Sequence, residues 1–191
     1  MRLTNSNRET RETKIKLSLN LDGKGKYDIA TGIGFFDHML QLFAAHSGFD
    51  LLVTCEGDLI IDGHHTVEDV GIVMGKAFNQ CIGDKCGINR YGSITLPMDE
   101  SLATCTVDIS GRPNLFFDAD ITGKCGSFDA ELLEEFLRSF TNHAGITLHV
   151  KLHCGTNTHH KIECVFKAFA RALSQACKVV GTEIPSTKGS L

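Results

Sequence analysis

The strongest constraint on this chain is a string that it uses twice. H-H-T-V-E occupies residues 64–68 and H-H-K-I-E occupies residues 159–163, 95 positions apart (159 − 64). The same offset lays Val67 on Ile162, Val70 on Val165, Lys76 on Arg171, Ala77 on Ala172 and Gln80 on Gln175. A shared register of this kind marks an internal duplication, so the fold is expected to contain one unit built twice. On a helix, residues three apart share a face. The spacing therefore predicts His65 beside Glu68 and His160 beside Glu163, with His64 and His159 pointing elsewhere, so that each copy serves two metal sites. A single H-H-x-x-E suits surface residues or helix caps as well as it suits a metal; two copies in register favour the metal.

The duplication reaches upstream. Residues 45–57, A-H-S-G-F-D-L-L-V-T-C-E-G, lie over residues 142–155, N-H-A-G-I-T-L-H-V-K-L-H-C-G, and the second connecting loop is two residues shorter. This alignment sets Glu135 opposite His38, both metal-competent and both on the helix before the strand. Pseudo-symmetry then suggests one site from His38, His65, Glu68 and His159, and a mirror site from Glu135, His160, Glu163 and His64. Mixed imidazole and carboxylate ligands with open positions suit Mn²⁺ or Fe²⁺, whereas a structural zinc site more usually contains cysteine. Manganese is the first choice.

Local patterns supply the elements. Residues 14–21 alternate strictly and read as a strand with one buried face; residues 22–25 supply a turn, and residues 26–30 are expected to return as the second strand of a hairpin. Phe36, Met39, Leu40 and Phe43 repeat at helical spacing up to Gly48. A strand over 50–56 leads to a helix over 66–82, where Gly71 and Gly75 suggest close packing of helix against sheet. Strands follow near 93–98, 102–109 and 115–117, then a helix over 129–143, a strand over 147–153 and a helix over 160–178. The expected fold is α+β, with two similar halves, residues 1–92 and 93–191, each a β-sheet with two helices packed on one face, fused into one compact catalytic unit.

Composition excludes several classes. The net charge is −4 and there is no Lys/Arg-rich run, which argues against a nucleic-acid surface. No apolar run approaches the length of a membrane span, so a soluble protein is expected. The eight cysteines stand singly, without C-x-x-C and without a secretory leader near Met1, as suits reduced thiols in a cytoplasmic protein. Arg90, Arg112 and the segment S-T-K-G at 186–189 combine cations, hydroxyls and a glycine suited to holding phosphate.

Taken in order, these residues resemble the imidazoleglycerol-phosphate dehydratase family over essentially the whole chain. The matching motifs are R-E-T at 11–13, F-D-H-M-L at 36–40, D-G-H-H-T-V-E-D at 62–69, R-Y-G at 90–92 and P-M-D-E at 97–100. They continue with S-G-R-P at 110–113, G-x-N-x-H-H-x-x-E at 155–163, F-K-A-F-A-R-A-L at 166–173 and P-S-T-K-G at 185–189. Two departures are small: Gly63 stands where the family often has Asp, and Glu135 where some members have His, which preserves a ligand. The phosphatase activity that a fused domain gives some members is not expected here.

The resemblance implies a fold of the ribosomal protein S5 domain 2-like type. It also implies a lyase of histidine biosynthesis that dehydrates D-erythro-imidazole glycerol phosphate to imidazole acetol phosphate with two Mn²⁺ per subunit. In that chemistry an imidazole held through both nitrogens can become imidazolate and expel the neighbouring hydroxyl, and Glu12 takes the proton from the adjacent carbon. The implied metal ligands are His38, His64, His65, Glu68, Glu135, His159, His160 and Glu163. Substrate contacts are implied for Glu12, His38, Gln41, His46, His64, His65, Glu68, Arg90, Arg112, Ser186 and Lys188. The resemblance further implies a homo-oligomer, an octahedral 24-subunit assembly of trimers with sites shared between subunits. Two other readings stay open on the residues alone. A dinuclear metallohydrolase acting on a phosphate ester would use the same ligands, and a metal-storage or metal-sensing protein would need only the histidine pairs.

Overall fold

In the computed structural model, which describes residues 1–189 and 191, both halves run β-β-β-α-β-α. The first comprises β1 (Leu3–Glu9), β2 (Thr13–Asn20), β3 (Tyr27–Ala30), α1 (Gly34–Ser47), β4 (Asp50–Gly57) and α2 (His64–Ile82). The second comprises β5 (Tyr91–Met98), β6 (Ser101–Asp108), β7 (Asn114–Asp118), α3 (Glu131–Ala144), β10 (Thr147–Cys154) and α4 (Thr158–Cys177). A small hairpin of β8 (Lys124–Cys125) and β9 (Phe128–Asp129) is inserted before α3. The sheet orders match, β1-β2-β4-β3 and β5-β6-β10-β7. In each, only the last strand runs parallel to its neighbour. The α+β duplication is therefore the architecture, although the division expected at 92/93 falls inside β5 rather than in the loop before it.

Each sheet buries one face under two helices, α1 and α2 on the first and α3 and α4 on the second. The two helix pairs then pack on each other, α2 against α3 and α1 against α4, which leaves the sheets outermost. Ile15, Leu17, Leu51 and Val53 of the first sheet, and Ala103, Val107, Leu148 and Val150 of the second, are buried beneath Phe36, Phe43, Phe78, Phe136, Phe140, Phe166 and Phe169 of the helices. Removing this apolar surface from water is the main driving force for the sandwich.

The glycines of α2 serve a different contact from the one expected. A Cβ on Gly71 would lie 2.9 Å from the Phe136 carbonyl, and one on Gly75 only 2.5 Å from that of Phe140. Both obstacles belong to α3, so these glycines permit close helix-on-helix packing, not helix-on-sheet packing.

The expected hairpin of residues 14–21 and 26–30 does not form. β3 pairs in parallel with β4, which itself pairs with β2. The loop between β2 and β3 is bound to the start of β4: Asp50 Oδ1 accepts the amides of Lys24 (2.8 Å) and Lys26 (2.9 Å), and the Gly25 amide donates to the Gly48 carbonyl. The chain is thereby carried across the end of β4 instead of turning back beside β2. The real partner of β2 on that side is β1, whose sequence L-T-N-S-N-R-E has no apolar alternation to announce it. It is held by main-chain pairing and by Arg8, which pairs with the buried Asp69 of α2 at 2.9 Å.

Among the described residues none of the eight cysteines is in a disulfide, and five are buried, with Cys125 half-buried and Cys86 and Cys154 exposed. Burial pushes the Cys55 thiol up to about 11. Among the described residues no helix is long and apolar enough to cross a membrane.

Candidate metal centre and anion cradle

Three of the predicted ligands meet where α1 crosses α4. Thr31 fixes the start of α1 by donating its amide and hydroxyl to Asp37 Oδ1, and Asn157 caps α4 by accepting from the His160 amide. His38 of α1, with His159 and Glu163 of α4, then offers ligand atoms that all lie within 4.8 Å of one another. Glu163 Oε2 is 3.1 Å from His159 Nε2 and 3.7 Å from His38 Nε2. The carboxylate is buried, with 8% of its side chain exposed, whereas both imidazoles are 45% exposed. Burial raises the Glu163 carboxyl, but the hydrogen bond and charge of Lys167 Nζ, 2.5 Å from Oε1, together with His159, outweigh it and hold the group below its ordinary value. The set is therefore an ionised carboxylate and two imidazoles. With no thiolate and three donors leaving further positions open, it fits a divalent cation of the Mn²⁺ or Fe²⁺ kind.

This differs from the expected division of the second motif. The glutamate joins the first histidine, four residues before it, because that pair of positions on α4 faces α1. His160 is turned the other way, its Nδ1 2.7 Å from Glu100 Oε2 and its Nε2 3.8 Å from Asp99 Oδ2. The first half repeats this at His65, with Nδ1 2.9 Å from Asp58 Oδ2 and Nε2 3.8 Å from Glu12 Oε1. Glu163 therefore belongs with His38 and His159 rather than with His160. By the same two-fold relation Glu68 corresponds to a set with His64 and Glu135, on α2 and the neighbouring α3. Those three are half-buried and, among the described residues, do not close to the same extent.

Asp58 and Glu100 are residues that sequence reasoning did not single out. Glu100 Oε1 accepts the amides of Thr156 (3.1 Å) and Asn157 (2.8 Å) while Oε2 holds His160. The His160 bond and these amides keep its carboxyl far below the usual range, and in turn Glu100 raises His160. Asp58 raises His65 in the same way. A carboxylate on Nδ1 fixes the tautomer and leaves Nε2 as the free ligand atom, the usual arrangement behind a metal-binding histidine. Glu100 lay inside the P-M-D-E motif; nothing local pointed to Asp58.

The residues expected to hold an anion lie elsewhere. Arg90, in a left-handed conformation at φ 70°, sends Nε and Nη2 to Asp108 (2.8 and 3.3 Å) and Nη1 to the Pro185 carbonyl (2.9 Å). Arg112 Nη2 lies 3.8 Å from the same Asp108, and its side chain is 68% exposed. Ser186 Oγ accepts the Lys188 amide at 3.2 Å. Asp108 pairs with Thr147 at the start of β10, whereas His159 follows the end of that eight-residue strand. At about 3.3 Å per residue the cradle and the metal ligands of one chain are on the order of 25 Å apart.

The remaining two residues expected to contact substrate lie on α1. Gln41 is half-buried one turn beyond His38. His46, further along, lines a cavity of about 610 Å³ with Arg171 and Gln175, where burial, Lys167 and Arg171 lower its proton affinity.

Comparison with known proteins gives a single answer. Residues 31–173 match the family model described as imidazoleglycerol-phosphate dehydratase. The chain is 54% identical to the imidazoleglycerol-phosphate dehydratase of Caldicellulosiruptor saccharolyticus, over all of this chain and 98% of that protein. It is 56% identical to that of Thermoanaerobacter pseudethanolicus, over the full length of both. Among solved structures, the Staphylococcus aureus enzyme superposes with a TM-score of 0.84 at 44% identity, covering 94% of this chain and 99% of that one. The Pyrococcus furiosus enzyme in complex with (S)-C348 gives 0.86 at 35%, covering 97% and 100%.

Proposed function

From the premise that this chain belongs to the imidazoleglycerol-phosphate dehydratase family and is a hydro-lyase of histidine biosynthesis, we propose that it dehydrates D-erythro-imidazole glycerol phosphate to imidazole acetol phosphate with two Mn²⁺ per subunit. The observation that carries this reading is the convergence of His38, His159 and Glu163 on one point. Manganese held there would supply a Lewis acid for the substrate's imidazole. One ion would be held by His38, His159 and Glu163. By the two-fold relation the other would be held by Glu135, His64 and Glu68, while His65 and His160, whose Nδ1 atoms are engaged by Asp58 and Glu100, would complete sets on neighbouring copies.

Glu12 has the character of the base. Its carboxylate is 53% exposed and its Oε1 stands 3.8 Å from His65 Nε2, so it lies beside a ligand and remains able to accept the proton from the carbon next to the departing hydroxyl. Arg90, Arg112, Ser186 and Lys188 hold the phosphate, and Gln41 and His46 extend the substrate contacts along α1. A molecule the size of a phosphorylated glycerol-imidazole cannot span the roughly 25 Å between cradle and ligands of one chain. This favours a homo-oligomer, the octahedral 24-subunit assembly of trimers, in which one copy brings the phosphate end and another the metals. The enzyme works in the cytoplasm on a free metabolite. Incubating the metal-free protein with imidazole glycerol phosphate, with and without Mn²⁺, tests the reading. Formation of imidazole acetol phosphate only with metal is expected; product without metal, or another product, overturns it.

A further inference from the structure

We infer that Asp108 is a positioning residue of the phosphate cradle, setting two guanidinium groups and the C-terminal S-T-K segment in one arrangement. The inference rests on the assignment of Arg90, Arg112, Ser186 and Lys188 to phosphate.

Asp108 is the last residue of β6, paired with Tyr91 on one side and Thr147 on the other. Both carboxylate oxygens are engaged by Arg90, a planar fork-to-fork contact that fixes guanidinium orientation as well as charge. That leaves Arg90 Nη1 aimed at the carbonyl of Pro185, the residue immediately before Ser186. Arg90 is 12% exposed, with three of its guanidinium donors taken up by Asp108 and the Pro185 carbonyl. It therefore acts as a strut between Asp108 and the tail, while its charge still acts on a nearby anion.

Arg112 plays the complementary part. It is largely in solvent and reaches Asp108 only at 3.8 Å, while its backbone is fixed by the Thr147 hydroxyl on its carbonyl (2.9 Å) and by Ser110 Oγ on its amide (3.3 Å). A well-anchored backbone with a lightly held side chain suits an arm that leaves Asp108 for an arriving phosphate. The charge balance agrees. Arg90 and Arg112 carry two positive charges against the single carboxylate of Asp108, so the cluster keeps a positive balance toward a phosphate monoester. Without Asp108 the two guanidinium groups would repel each other and Arg90 would lose its orienting partner.

The test compares Asp108→Asn with Arg112→Ala and Lys188→Ala in the manganese-loaded enzyme, measuring kcat, KM and competitive inhibition by inorganic phosphate. For Asp108→Asn, KM and the phosphate inhibition constant are expected to rise together by about ten- to a hundredfold. Its kcat and metal content should stay within about twofold of wild type. Asp108→Glu should recover part of the loss. If Arg112→Ala and Lys188→Ala raise both constants and Asp108→Asn raises neither, Asp108 is not a positioning residue. A parallel fall in kcat and metal content in Asp108→Asn would make it a folding residue and also overturn the inference. If Arg112→Ala and Lys188→Ala leave both constants unchanged, the cradle itself is misassigned and this inference falls with it.

Discussion

Glu100 accepts from His160: Oε2 lies 2.7 Å from Nδ1, and the other oxygen is tied to the amides that open α4. Asp58 holds His65 in the equivalent way. Loss of such a carboxylate typically weakens metal binding about 10- to 100-fold. Glu100→Gln should do so for the metal served by His160, and Asp58→Asn for the one served by His65. Manganese titration of each variant checks this; wild-type affinity in both would remove the orienting role.

The pairing of Glu163 with His159 and His38 groups the ligands by site. His38→Ala, His159→Ala and Glu163→Gln should each lose the same manganese, about one of the two per chain, while His160→Ala loses the other. Metal analysis of the purified variants distinguishes this from the division in which Glu163 follows His160.

Glu12→Gln is nearly isosteric and leaves the metal ligands in place. A positioned base contributes about 10² to 10⁴ in rate, so kcat should fall by about that factor with metal content unchanged. Turnover near the wild-type rate would mean that another group takes the proton.

Gly75→Ala tests the helix contact. Alanine improves helix propensity by about 1 kcal/mol. Its Cβ, however, would lie 2.5 Å from the Phe140 carbonyl and 3.0 Å from His143 Cβ, an overpacking that typically costs about 1 to 3 kcal/mol. The thermal midpoint should drop; an unchanged or higher midpoint would show that α2 and α3 have room to separate.

Asp50 gives the pH dependence a definite sign. The amides of Lys24 and Lys26 hold its carboxyl below the ordinary value of 3.8. A group depressed on folding contributes stability that is present above its unfolded value and is lost as pH falls through the folded one. Metal-free protein should therefore lose stability progressively below about pH 4. Asp50→Asn, which cannot titrate, should lose less over the same interval in denaturant melts; an identical pH slope would exclude Asp50 as a contributor.

The sequence by itself determined the duplication, the buried faces of β2 and α1, and the residue types at the site. Each of these is a local or periodic property: alternation is visible in K-I-K-L-S-L-N-L, and a repeated H-H-x-x-E needs no partner to be recognised. The full run of motifs determined the family. What stayed hidden depends on groups far apart in the chain. β1 has no apolar face, because its place is held by main-chain pairing and by the ion pair of Arg8 with Asp69. β3 pairs with β4 because Asp50 captures the amides of the preceding loop. Glu163 sides with His159 and not His160 because both i−4 and i−3 neighbours are available on a helix, and only the packing of α1 decides which face is used. Asp58, Glu100 and Asp108 look in sequence like any solvated carboxylate. They acquire their roles when the fold brings a histidine or an arginine within hydrogen-bond reach, a distance that periodicity along the chain does not encode.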